Sequence, residues 1–85
     1  MRVYLFTSPD SSQARRVDQF AAELASYQVD PIRVDDSSAE GTGLVELYDV
    51  VDRPAVVVTT DDGQMVQRWL RELPLAGDVS YWAHQ

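Results

Sequence analysis

The 85-residue chain has no cysteine and no lysine, a single histidine, and only four glycines and four prolines. Without thiols, disulfide stabilisation, thiolate metal sites and thiol catalysis are all excluded. Without lysine, all seven basic residues are arginine, a bias read first as coding-sequence composition and second as selection for guanidinium chemistry. Basic charge is itself scarce: fourteen acidic residues leave a net charge of −7. That field repels nucleic acid and anionic lipid head groups, so neither is expected as a partner. Long apolar runs are also missing. Val3 to Phe6 is too short for a signal-peptide core, and nothing approaches the ~20 apolar residues of a membrane span. The chain reads as soluble and cytoplasmic.

What is present is ordinary globular material, 45% hydrophobic and 25% charged, in a length that supports one core. A single domain over 1–85 is expected, folding alone or as a homo-oligomer, with a homodimer left open.

Residues 2–8 are β-formers without polar interruption from Val3 to Phe6, as in a strand buried on both faces. Pro9 and Asp10 break it. Ser11 or Ser12 then caps a helix whose apolar positions Val17, Phe20, Ala21, Leu24 and Tyr27 recur at spacings of three and four, ending near Gln28 before Asp30-Pro31. Ile32 and Val34 suggest a short strand with one face to the core. Asp36 to Gly43 reads as a polar loop, and Leu44, Val45, Leu47, Tyr48 and Val51 as a short helix whose start is held back by Gly41 and Gly43. Ala55 to Thr60 and Gln64 to Leu70, joined by Asp61-Asp62-Gly63, form a hairpin. Ala76 to Ala83 holds about two turns of helix. The order β-α-β-α-β-β-α, with one right-handed parallel unit and a terminal antiparallel hairpin, implies an α/β fold around a four-stranded mixed sheet.

Two segments resemble the thioredoxin and glutaredoxin superfamily. VYLFTSPDSSQARR is similar to the strand, T-x-P-x and CxxC at a helix start, with Ser11-Ser12-Gln13-Ala14 where the cysteines would stand. Val51 to Val58 is similar to the approach to the third strand, where the resemblance implies a cis peptide before Pro54, and Asp62-Gly63 falls at the usual hairpin turn. Asp61 through Tyr81 is also similar to short, cysteine-poor thioredoxin-like proteins. The resemblance implies a thioredoxin-like fold over nearly the whole chain. It also implies that the backbone of the residue before the proline, here Arg53, is exposed to pair with an extended peptide.

Serine cannot cycle through a disulfide, so Ser11 and Ala14 remove dithiol oxidoreductase chemistry. Ser11 and Ser12 read as helix caps or, alternatively, as ligand groups whose hydroxyl and neighbouring N–H groups hold a thiol or carboxylate, as serine does in some glutathione transferases. The acidic-serine pair those enzymes use is replaced by Leu70-Arg71-Glu72-Leu73-Pro74. Arg53 reads as a carboxylate anchor beside Pro54, or as a surface arginine paired with Asp52 or Asp10. Asp35-Asp36 and Asp61-Asp62 fit turn chemistry better than a metal site. His84 is placed near the chain end, where fraying is expected. Trp69, Tyr81 and Trp82 are expected to pack the last helix on the sheet, and any of them left exposed would mark a partner surface.

No nucleophile, base and orienting set can be assembled, and no cofactor or metal is implied. The expectation is a redox-inactive binding module, not an enzyme, that engages a protein segment or small anionic ligand near Ser11, Ser12, Arg53 and Pro54. The alternatives are a glutathione-binding enzyme or carrier and a structural, dimerising subunit.

Overall fold

The computed structural model describes residues 1–7, 14–35 and 37–84. Its elements are β1 (Arg2–Thr7), α1 (Ala14–Ser26), β2 (Ile32–Asp35), α2 (Ala39–Leu47), β3 (Ala55–Thr59), β4 (Met65–Leu70) and α3 (Ala76–Ala83). The strands lie in the order β2-β1-β3-β4, with β1 parallel to β2 and antiparallel to β3, and β4 antiparallel to β3. The expected four-stranded mixed sheet is thus the one observed.

Side chains alternate across a strand, and both central strands are covered on both faces, which is why they carry unbroken apolar runs. Val3, Leu5, Val56 and Val58 face α1 and α3, whose Val17, Phe20, Leu24, Ala76 and Val79 complete one buried cluster. Tyr4, Phe6, Val34, Ala55 and Val57 face the other way and meet Tyr48 and Val50, with Leu44 and Val45 of α2 packed alongside. The sheet is therefore the middle of three layers.

Several local expectations are corrected. The second helix starts at Ala39, not Leu44, because Ser38 caps it by accepting from the Gly41 N–H at 2.9 Å. Gly41 is no breaker: a Cβ there would lie 1.9 Å from the Asp35 carbonyl oxygen, so its hydrogen lets the helix start close on the end of β2. The helix ends at Leu47, leaving Leu47 and Val51 exposed while Tyr48 and Val50 turn inward. Ile32 is also exposed and only Val34 is buried, since β2 is an edge strand. Tyr27 lies beyond the end of α1, where the chain turns through Gln28 at a φ of 62°, and its ring is half exposed.

Turn chemistry shapes the hairpin as expected. Gly63 takes a φ of 94° and Thr60 accepts its N–H through the carbonyl. The Tyr48 hydroxyl donates to the Gly63 carbonyl at 2.9 Å, fastening the turn to the α2 layer. Burial, together with neighbouring Tyr4, raises the Tyr48 hydroxyl pKa. Arg68 reaches across the same face and donates to the carbonyls of Tyr48 and Asp49, satisfying acceptors that the end of α2 leaves open.

Candidate functional site

The strand ladder decides which residues meet. Val34, Phe6, Ala55 and Leu70 form one row across all four strands. The next residues along share one end of the sheet: Asp35, Thr7, Pro54 and Arg71. The first turn of α1, with Arg15 and Arg16, belongs to the same end because it follows β1.

Pro54 is buried behind this edge and the Arg53–Pro54 peptide is cis. Arg53 is half-buried, and its Nη1 donates to the Val50 carbonyl at 3.0 Å, so part of this guanidinium is committed to holding its own loop. Asp52 instead accepts from Arg71 Nη2 at 3.4 Å. Asp10, Ser11 and Ser12 lie outside the described residues.

Arg71 directly follows the end of β4. Its φ is 73°, and Glu72 N–H donates to the Leu70 carbonyl at 2.8 Å, so the chain reverses in a γ-turn centred on an arginine. Such turns are rare for a residue with a Cβ and tend to be retained at functional positions. Beside this turn, Arg16, Arg71, Glu72 and Leu73 line a hollow of about 660 Å³. An adjoining hollow of about 270 Å³ shares Arg16 and Leu73 and continues along Gln19, Phe20 and Pro74 to Leu75. The first hollow thus sets Glu72 beside Arg16 and Arg71, and the second mixes Gln19 and Glu23 with Phe20, Pro74 and Leu75.

Arg16 and Arg71 are the site residues that the sequence reading missed. The signals were present as Arg15-Arg16 at a helix start and Arg71 directly after a strand. Only the register of the sheet shows that they converge. Arg15, Arg16, Arg53 and Arg71 are more than half of the seven basic residues in a chain of net charge −7.

Asp35, Asp61, Asp62 and His84 each make local contacts. Asp35 Oδ1 accepts from both the N–H and the hydroxyl of Ser37, at 2.8 and 2.7 Å, and these bonds hold its carboxyl below the usual range. Asp61 pairs with the amino terminus at 2.8 Å, and Asp62 accepts from the Thr60 hydroxyl. His84 is tied in, its Nε2 being 3.2 Å from the Tyr27 carbonyl oxygen. Among the described residues, no three metal-ligating side chains gather and no helix is long and apolar enough to cross a membrane.

Among solved structures, the chain is similar to a malarial protein at 14% identity and a TM-score of 0.72, over 96% of this chain and 91% of that one. It is similar to thioredoxin 1 from the thermophilic eubacterium Thermosipho africanus TCF52B at 15% identity and a TM-score of 0.65, over 99% and 91% of the two chains. The fold is thioredoxin-like. A third likeness, to the C-terminal domain of Neisseria meningitidis DsbD in its reduced form, has 17% identity and a TM-score of 0.59, over 98% of this chain and 77% of that one. No family model and no curated protein matches the chain. In this thioredoxin-like frame the helix start, the proline loop and the β4–α3 connection meet at one end of the sheet, and no cysteine is present there or elsewhere.

Proposed function

We propose that the chain is a redox-inactive thioredoxin-like binding module that holds an anionic protein segment or small anionic ligand between the start of α1 and the β4–α3 connection. The observation that carries this reading is the pair Arg16 and Arg71 lining one hollow in a protein whose overall charge has the opposite sign. Arginine presents a planar fork of donors that matches a carboxylate. The start of α1 adds the positive end of the helix dipole. Leu73 beside the two guanidinium groups gives the occupant an apolar contact. With no thiol in the chain, the occupant is held without a disulfide bond. Ser11, Ser12, Arg53 and Pro54, the residues expected from the sequence, belong to this proposal, with Arg53 bracing the proline loop through the Val50 carbonyl.

The test is an amide NMR titration with a blocked Glu- and Leu-containing peptide, its Gln counterpart, and reduced glutathione. The module reading expects shifts at Ala14 to Arg16, Arg53 and Leu70 to Leu73 with the Glu peptide, and weaker ones with the Gln peptide. Glutathione moving these residues at lower concentration than the peptide would assign the carrier role instead. If none of the three moves them at millimolar concentration, the site is not a binding groove.

A further inference from the structure

On the flank formed by α1 and α3, Tyr27, Leu75 and Tyr81 are 49%, 75% and 63% exposed. Tyr27 and Leu75 line one hollow of about 410 Å³ together with Glu23, Gly77 and Asp78. Gly77 leaves the floor open beside the Tyr27 ring, since a Cβ there would stand in van der Waals contact with the Tyr27 hydroxyl at 3.5 Å. Tyr81 follows Gly77 and Asp78 by four and three residues, so it stands one turn further along the same face of α3. Its ring is set edge-on against Trp82, with centroids 5.6 Å apart. The contact between His84 and the Tyr27 carbonyl joins the end of α1 to α3.

We propose that this face docks a basic amphipathic segment of a partner protein. Charge complementarity selects the occupant. Glu23 and Asp78 flank an aromatic and aliphatic surface, and the arginine on the same flank of α1, Arg16, is two turns from Glu23, about 10 Å along the axis. A guanidinium or ammonium group finds two carboxylates and the tyrosine rings, which attract cations through their faces, while an aliphatic side chain covers Leu75. A second copy of the chain paired about a two-fold axis would instead set Glu23 and Asp78 against themselves. The face adjoins the arginine-lined hollows, sharing Glu23 and Leu75 with the second of them.

The test titrates a blocked amphipathic Leu/Arg helical peptide, and its Leu/Glu counterpart, into the protein and three variants, read by NMR and anisotropy. The Leu/Arg peptide shifts Tyr27, Leu75 to Asp78 and Tyr81, and the Leu/Glu peptide leaves them in place. E23Q/D78N weakens binding about tenfold, and Y81S weakens it similarly. E40Q/E46Q, which removes the same charge from α2 on the opposite layer, leaves it unchanged. Equal weakening by E40Q/E46Q would reduce the effect to diffuse charge and overturn the proposal. So would equal binding of both peptides, or a peptide-free dimer in sedimentation that Y81S dissociates.

Discussion

Alanine at Gly41 and at Gly43 should have opposite effects, although both residues lie in α2 and are separated by one position. Replacing glycine inside a helix gains about 1 kcal/mol of propensity. At Gly43 nothing lies within 4 Å of the added Cβ, so the gain is kept and G43A stabilises by about 0.5–1 kcal/mol. At Gly41 the Cβ would fall 1.9 Å from the Asp35 carbonyl oxygen. Carbon and carbonyl oxygen settle at about 3.3 Å or more, so the helix start must retreat by about 1.4 Å from β2. That retreat strains the Ser38 cap and loosens the contact beside Val34. G41A therefore costs about 3 kcal/mol net, within the range of buried overpacking. Urea denaturation followed by circular dichroism reads both. At this chain length the two variants should differ in Tm by about 15–25 °C. Equal stability of G41A and the parent, or a destabilised G43A, would refute the argument that Gly41 is present for close approach.

Tyr48→Phe removes the hydroxyl that donates to the Gly63 carbonyl and should cost about 1 kcal/mol in the same assay. The Tyr48 hydroxyl titrates above its ordinary 10.0 in the folded chain, so the unfolded chain loses this proton first as pH rises. Stability from this group is complete below about pH 10 and falls as pH climbs through the folded value; Y48F should flatten that alkaline loss, as urea midpoints across pH would show. Asp35 has the opposite sign: its lowered pKa makes its contribution present above about pH 4 and lost on acidification, and D35N should blunt that acid limb. Arg71→Gly relieves the positive φ and should raise stability by about 1 kcal/mol while weakening binding of the Glu peptide, a trade-off readable by melting and titration on one sample.

The parts legible from sequence were those in which one segment carries its own signal. Val3 to Phe6 and Ala55 to Val58 are apolar without interruption because their strands are central. Val17, Phe20 and Leu24 recur at helical spacing because one stripe of α1 meets the sheet. The start of α2 was misread because Gly41, a weak helix former by itself, is needed for contact with a carbonyl six residues earlier. Ile32 and Tyr81 are apolar yet exposed, which no local pattern distinguishes from core. Of the site, Pro54 was legible because its neighbours resemble a known loop. Arg16 and Arg71 were not, since 55 residues separate them and only the row Phe6, Ala55, Leu70 brings their elements to one end.

The central claim, that paired arginines at this end of the sheet hold an anionic occupant, is tested most directly by the affinity of R16Q/R71Q for the Glu peptide across a salt series. R16Q/R71Q should lose about tenfold or more in affinity at low salt and show a shallower salt dependence than the parent, with an unchanged far-ultraviolet spectrum. Parental affinity and salt dependence in a folded R16Q/R71Q protein would contradict it.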